Sequence, residues 1–199
     1  ASRNILSPSD LEFRWLPMAH SFAKVLMSLQ LQVGFAAAID GRVPKIVENL
    51  AIVRPTFMGA APRIFEKAYG RIVGMMEEDG GVKLKLFNWA QKVGVEHSRL
   101  ERAGKPIPAG LKIQYGLADK IIFSKIRDRF GGRVRFFISG AAALSPDIAE
   151  WFHAANVLIL EGYGLTESSA GSFVNVPENF KLGSVGIPSP GTEAKIADD

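Results

Sequence analysis

Between residues 134 and 169 the sequence alternates between strand-like and helix-like segments, and this restricts the fold more than any other feature. Residues 134–139 are a short β-branched and aromatic run, and residues 157–160 are a continuous apolar run. Between them, Ser145 is a preferred helix N-cap and Pro146 fits the first helical position. Strand, helix and strand in this order form a βαβ unit, in which the two strands pair in parallel. We therefore predict an α/β domain with a mostly parallel sheet flanked by helices.

Four other stretches have apolar residues at helical spacing. They predict helices over 17–39, 62–76, 82–100 and from about 108 to 129. The first of these is apolar nearly all round, which is typical of a buried helix. Gly80-Gly81 and Gly131-Gly132 are predicted to end the second and fourth helices, because glycine suits the left-handed C-cap. The segment from Val176 onward is rich in Pro and Gly and predicts short strands and turns.

Cysteine and histidine usage excludes several kinds of site. The chain has 199 residues and no cysteine, so disulfides and thiolate metal sites are excluded, and a reducing, cytoplasmic location is expected. The three histidines, His20, His97 and His153, are too scattered to predict a metal cluster. The most apolar stretch, residues 25–39, is shorter than the roughly 20 residues of a membrane-spanning helix.

The net charge of +4 conceals a basic middle of the chain. Residues 42–135 carry about twice as many basic as acidic side chains, and residues 136–199 are acidic. A basic segment can attract nucleic acid, anionic lipid or a polyphosphate ligand. A solvated helical surface is the preferred interpretation, because acids are interspersed among the bases. No nucleic-acid partner is predicted, since interleaved aromatic residues are lacking.

Two turns follow the two strands of the βαβ unit, and ligands of open α/β sheets bind beyond the carboxyl ends of the strands. The small residues 140–143 would let a flat ring approach the backbone, and Tyr163 offers an aromatic face. Thr166 is predicted as a helix N-cap that could meet a phosphate. Glu167 could serve there if Mg²⁺ bridges the carboxylate and the phosphate. Taken singly, the same residues could be only a cap, a first-turn acid and turn formers.

The second turn also carries a family resemblance. Residues 163–167, Y-G-L-T-E, resemble the Y-G-x-T-E signature of the adenylate-forming superfamily, and specifically of its long-chain fatty acyl-CoA synthetases. Residues 16–20 are similar to the L-P-x-x-H segment of that family. Residues 54–67 are similar to its P-T…P-R-x-x-E-K segment, and residues 183–196 to its G-S-V-G-x-P-x-P-G…K-I segment. The four segments occur in the family order and span nearly the whole chain.

The resemblance implies an activity. It implies that, in the intact protein, ATP activates a long-chain fatty acid to an acyl-adenylate and coenzyme A then takes the acyl group, whereas residues 1–199 alone are expected to be inactive. A fatty acyl-AMP ligase that serves a carrier protein and a non-catalytic nucleotide- or lipid-binding module are the alternatives. Contact with the inner face of a membrane is a further expectation.

The resemblance also implies roles for individual residues. Gly140 and Ala141 would flank the adenine, Glu161 and Gly162 would contact its edge, and Tyr163 would stack on it. Thr166 would touch the α-phosphate and Glu167 would bind Mg²⁺. His20 would be a gating residue near the acyl carboxylate, although it could also be a helix-entry residue packed near Pro17.

Some elements of the family pattern do not occur in the sequence. The family's Ser/Thr/Gly-rich phosphate loop ending in P-K-G is absent, and so are its T-G-D segment and its catalytic lysine. We therefore expect residues 1–199 to be one partial N-terminal AMP-binding domain. The phosphate loop is expected upstream of Ala1 and the lid domain downstream of Asp199.

Overall fold

Within residues 5–197, which the computed structural model describes, seven strands form one sheet. Residues 1–4 and 198–199 of the predicted domain lie outside the described residues. The strands are β1 (Leu11–Arg14), β2 (Ala36–Ile39), β3 (Phe57–Ala60), β4 (Phe136–Ser139), β5 (Ile159–Tyr163), β6 (Phe173–Val174) and β7 (Ile187–Pro188). Their order across the sheet is β2-β1-β3-β4-β5-β6-β7. The first five pair in parallel and the last two antiparallel, which confirms the predicted α/β class.

The helices lie between these strands. They are α1 (Ser21–Val33), α2 (Ile46–Val53), α3 (Pro62–Asp79), α4 (Gly81–Arg102), α5 (Ala109–Ala118), α6 (Ser124–Arg129) and α7 (Pro146–Ala154). Short 3₁₀ turns cover Val43–Lys45 and Thr166–Ser168, and a π-helical segment, Asp119–Phe123, joins α5 to α6. No helix of residues 5–197 is both long enough and apolar enough to span a bilayer.

The helices predicted from periodicity are confirmed where the apolar spacing is regular. α3 begins at Pro62, which fits the first turn, and Gly80 follows it with a φ of 59°. α4 extends through the predicted 82–100. Gly131 and Gly132 have φ values of 90° and 70° after α6, as expected of residues that end a helix.

The helix predicted over 17–39 is too long. α1 ends at Val33, because Gly34 adopts a left-handed φ of 86° and its amide donates to the Gln30 carbonyl. The chain then reverses into β2, Ala36–Ile39, whose backbone pairs with β1 in parallel. A run that is apolar nearly all round does not show where a helix stops and a buried strand begins.

The predicted βαβ unit is β4-α7-β5. Pro146 is the first residue of α7, as predicted, and Ser145 occupies the N-cap position without a capping bond from its side chain. Strands β1 and β3 were not predicted. β3 is buried on both faces, which leaves no alternation of polar and apolar residues to read. β1 does alternate, as L-E-F-R, but it has only four residues, and Glu12 and Arg14 form a buried ion pair instead of facing solvent.

The two faces of the sheet are covered differently. The face that we call the helical face packs against α2 to α7 through a large cluster that includes Phe65, Phe137 and Phe152. The opposite face, which we call the α1 face, has a small buried cluster of Leu26, Phe35, Phe57, Phe136 and Leu160. Because side chains alternate along a strand, Phe136 and Phe137 of β4 belong to different faces.

Candidate functional site

The two predicted ligand-binding turns lie side by side at the carboxyl ends of β4 and β5. The parallel register pairs Ser139 with Glu161, so the turn that begins at Gly140 lies beside the end of β5. The predicted turn after residue 160 is wrong for residues 161–163, which continue β5 and pair with β6, and the chain leaves the sheet only at Gly164. The structure therefore brings together the residues predicted to bind adenine.

The first turn is small and has a strained residue. A Cβ at Gly140 would lie 3.3 Å from the Phe22 ring of α1, so glycine lets α1 pack closely here. Ala141 is exposed and has a left-handed φ of 73°, which an alanine rarely adopts. Residues held in such conformations are concentrated at functional sites.

In the second turn, Tyr163 is accessible. Its side chain is 46% exposed, and its ring leans on Phe173 with the ring centroids 6.2 Å apart. The next residue must be glycine, because a Cβ at Gly164 would lie 1.0 Å from the Ala170 carbonyl oxygen. Tyr163 thus contacts Phe173 in a tilted arrangement and remains accessible to a ligand.

Thr166 and Glu167 lie in a 3₁₀ turn rather than in a helix. The turn covers only Thr166–Ser168, and Leu165 occupies its N-cap position, so the predicted helix N-cap at Thr166 is wrong. Ser169 and Ala170 follow with φ values of 59° and 82°, which ends any helical path. Both predicted phosphate-site side chains are exposed on this turn.

The other predicted catalytic residue, His20, is followed by Ser21, which lies close to this turn. His20 is the N-cap residue of α1 and is exposed, with no capping bond from its ring. The Ser21 hydroxyl lies 3.5 Å from the Thr166 hydroxyl, the limit of hydrogen-bond distance. Residues 16–20 and 163–167, which are distant in the sequence, therefore meet at one edge of the sheet. Sequence reasoning missed Ser21, although its position next to His20 was a usable signal.

A cavity of about 400 Å³ lies on the α1 face beside the two turns. Apolar side chains of α1 and the sheet line its body, among them Val25, Leu26, Leu29, Phe136 and Leu160. Its volume falls within the range of small-molecule sites. The sequence did not predict this cavity, because it forms between α1 and strands far away in the chain.

The cavity and the turns share residues. Gly140 and Ala141 of the first turn line the cavity, and so do Gly162, Tyr163 and Gly164 of the second. A polar ligand at the turns and an apolar group in the cavity could therefore belong to one molecule.

Glu161 differs from the other predicted adenine contacts. It is buried, and its carboxylate accepts hydrogen bonds from the backbone amides of Leu144 and Gly183 at 3.2 and 3.1 Å. Leu160, its neighbour, lines the cavity, so strand alternation directs Glu161 toward the helical face. The side chain of Glu161 is hydrogen-bonded to two loops, so only its backbone is available at the predicted adenine position.

The donor set at the turns fits Mg²⁺ bound together with a phosphate. Mg²⁺ usually has one or two protein carboxylates and completes its shell with water and substrate phosphates. Glu167 supplies one exposed carboxylate beside the Thr166 hydroxyl. Among residues 5–197 there is no group of three His, Cys, Asp or Glu side chains that could hold a metal without such a ligand.

Comparison with known sequences shows the family of the chain. The sequence model of the AMP-binding enzyme family matches residues 2–199, and the chain belongs to that family. The chain is 35% identical over 193 residues to fatty acyl-CoA synthetase A of Dictyostelium discoideum. It is 37% identical over 196 residues to long chain acyl-CoA synthetase 3 of Arabidopsis thaliana. Both matches include 96% of this chain but only 27% and 28% of the relatives' own lengths.

A solved structure supports the same fold. A benzoate CoA ligase from Burkholderia xenovorans superposes with a TM-score of 0.59 at 18% identity, over 96% of this chain and 30% of that one. At this identity the likeness establishes the fold alone.

Proposed function

We propose that the protein carrying this chain activates a long-chain fatty acid with ATP and then transfers the acyl group to coenzyme A. The observation that carries the proposal is the continuity of the nucleotide turns with the apolar cavity through Gly140, Ala141, Gly162, Tyr163 and Gly164. The names of the relatives, fatty acyl-CoA synthetase and long chain acyl-CoA synthetase, support the same substrates. The chain spans little more than a quarter of their length, so the activity is proposed for the whole protein.

In this arrangement the adenine lies between the turn at Gly140 and the ring of Tyr163. The ribose and phosphates extend toward Thr166, whose exposed hydroxyl can donate a hydrogen bond to an α-phosphate oxygen. The acyl chain enters the cavity along α1, and its carboxylate remains at the mouth near Ser21. His20, at the start of the same helix, is the proposed gating residue.

The proposed reaction has two steps. A carboxylate oxygen of the fatty acid attacks the α-phosphorus, a new P–O bond forms, and pyrophosphate leaves with the electrons of the broken P–O bond. The thiolate of coenzyme A then attacks the acyl carbon, and AMP leaves. The turns contribute mainly by holding the two anionic reactants in line, and alignment of this kind supplies much of the rate.

Mg²⁺, held by Glu167 and the phosphates, would neutralise negative charge during the first step. The role of Glu167 would be to hold the positive charge of the ion beside Thr166. Removal of the Glu167 charge should therefore reduce adenylation more than it reduces the stability of the fold.

The test is palmitate-dependent exchange of labelled pyrophosphate into ATP, measured on the unaltered protein and on Glu167→Gln. We expect exchange in the unaltered protein and a loss of roughly 10²-fold in the variant, the scale of several kcal/mol of charge stabilisation. Glu78→Gln, at an exposed position near the end of α3, is the matched control and should leave the rate unchanged. Absence of palmitate-dependent exchange in the unaltered protein would contradict the proposal.

A further inference from the structure

A buried carboxylate ties together three segments around the site. Glu161, at the end of β5, is 7% exposed and accepts from the amide of Leu144 through Oε1 and from that of Gly183 through Oε2. The first amide follows the turn at Gly140, and the second lies in the loop before β7. One side chain therefore fixes the spacing between two loops that are 39 residues apart in sequence.

Asn175 makes a second set of bonds on the same segments. It is 3% exposed, and its Nδ2 donates to the carbonyl oxygens of Glu161 and Ser184 at 3.2 and 2.5 Å. Its Oδ1 accepts from the Lys181 amide at 3.0 Å, and its own amide donates to the Glu161 carbonyl at 2.9 Å. Together, the three hydrogen bonds of the Asn175 side chain join β5 to the loop 181–184.

Just after this loop, the backbone at Gly186 packs directly against the end of β6. A Cβ at Gly186 would lie 2.3 Å from the Asn175 nitrogen and 2.4 Å from the Val174 carbonyl carbon. Gly186 also has a φ of 85°, so the backbone here has one well-defined path. We name Glu161 and Asn175 together the loop clasp.

The two acceptor oxygens of Glu161 cannot both be replaced by an amide of the same size. No ion pair among residues 5–197 includes it, and both of its carboxylate oxygens accept hydrogen bonds from backbone amides. A carboxylate can accept from two donors on opposite sides at once. A glutamine of the same size has one oxygen, and its NH₂ group would face an N–H donor.

We propose that Glu161 and Asn175 are positioning residues, which set the turn at Gly140 and the loop 181–184 in register with the nucleotide-binding turn after β5. The inference rests on the proposed function, since it assigns to the clasp the placement of the nucleotide. Neither side chain touches the nucleotide in this account. They act through the backbone of Gly140 to Leu144 and of Gly183.

The test compares Glu161→Gln with Glu150→Gln in the protein. Glu150 is a carboxylate of α7 that pairs with Arg99 and Arg102 of α4, away from the turns, so it is the matched control. For Glu161→Gln we expect kcat/KM for ATP to fall about 10- to 100-fold, the range seen when the supports of a site are loosened. Amide hydrogen exchange should become faster at Leu144 or Gly183 while β4 and β5 keep their protection. Glu150→Gln should leave both readouts unchanged.

Two results would overturn the inference while leaving the proposed function intact. One is an unaltered protein that turns over ATP together with a Glu161→Gln variant that does so equally well. The other is a loss of protection throughout β4 and β5 in that variant, which would make Glu161 a residue of fold stability. A lack of any ATP binding by the unaltered protein would instead reject the proposed function and, with it, this inference.

If Glu161→Gln does not fold, the unaltered protein still decides the matter. Addition of ATP should slow hydrogen exchange at Leu144 and Gly183 together, because one carboxylate joins the two amides. Slowing at Leu144 alone would overturn the inference.

Discussion

The helical face and the α1 face of one sheet have different relations to solvent and to strain. On the helical face, aromatic rings such as Phe65, Phe137 and Phe152 contact one another edge to face with little exposed surface. On the α1 face, the buried cluster is small and a cavity of about 400 Å³ remains beside it. The helical face therefore has the larger packed core, and the α1 face has the cavity that the proposed function assigns to a ligand.

Backbone strain is concentrated at the candidate site. Among residues 5–197, three of the five non-glycine residues with positive φ, Ala141, Ser169 and Ala170, lie in or beside the turns that border the cavity, and Arg54 and Asn156 follow α2 and α7. Such conformations cost free energy that close packing elsewhere must offset. Substitutions on the helical face should therefore affect stability, and substitutions at the turns should affect binding.

The largest expected effect is on the helical face. Phe137 is 0% exposed and contacts the rings of Phe65 and Phe130. Phe137→Ala should lower the free energy of unfolding by about 3–5 kcal/mol, because it opens a cavity in a packed core. Urea unfolding measures this loss. A loss under about 1 kcal/mol would mean that the helical face is not the main source of stability.

A smaller effect, of a different kind, is expected at Tyr163. Tyr163→Ala should weaken ATP binding by about 1–3 kcal/mol, the scale of stacking between an aromatic side chain and a base. Tyr163→Phe keeps the ring and should bind ATP nearly as well. Calorimetric titration and urea unfolding of the same proteins separate the two roles. A collapsed unfolding midpoint with normal ATP affinity in the folded fraction would reassign Tyr163 to packing.

A pH effect is expected at the contact between α4 and α7. Burial is the main reason that the pKa of His153 lies below its ordinary value, and Ser98 lies 2.9 Å from its Nδ1. The unfolded chain then takes up a proton near pH 6.5 that the folded chain resists, so stability should fall as the pH drops below about 6.5. One proton limits the slope to about 1.4 kcal/mol per pH unit.

The measurement is urea unfolding between pH 7 and 5, above the range in which Glu150, whose pKa is lowered by Arg99, takes up its proton. His153→Gln should flatten the dependence in this interval. An equal slope in the variant and the unaltered protein would show that another group is responsible.

The smallest effect is expected from relief of strain. Ala141→Gly removes the Cβ that disfavours a φ of 73°, and it also increases the freedom of the unfolded chain. We expect a net gain of less than about 1 kcal/mol in the free energy of unfolding. Ala142→Gly, at an exposed neighbour, is the control and should lose stability instead. A loss in both variants would contradict the strain argument.

The sequence predicted those parts of the fold in which a local residue pattern is compatible with only one type of secondary structure. α3 and α4 have regular apolar spacing, and the βαβ unit has a helix start at Pro146 between two strand-like runs. β3 has no such pattern, since burial on both faces removes the alternation. β1 alternates over only four residues, and its polar residues, Glu12 and Arg14, are buried as an ion pair. The end of α1 at Gly34 depends on a backbone conformation that the surrounding apolar run hides.

The sequence predicted which residues form the candidate site, and the structure brings most of them to one edge of the sheet, but the shape of the site was not predicted. The motif at 163–167 and the turn at Gly140 are each a continuous stretch of sequence, and the structure brings the two stretches together as expected. The loop clasp depends on Asn175, for which the sequence offered no signal, because its partners are backbone groups fixed by tertiary packing. The same holds for the cavity, whose walls come from α1 and from strands far away in the chain.

The central claim is that one ligand binds the nucleotide turns and the apolar cavity together. Its most direct test is calorimetric titration of the protein with acyl-sulfamoyl adenosines whose acyl chain grows from acetyl to octanoyl. Each buried CH₂ contributes about 0.8 kcal/mol, so Kd should fall roughly fourfold for each one added. Val25→Trp, which fills the cavity, should flatten the series. Equal Kd values for the acetyl and octanoyl compounds in the unaltered protein would contradict the account.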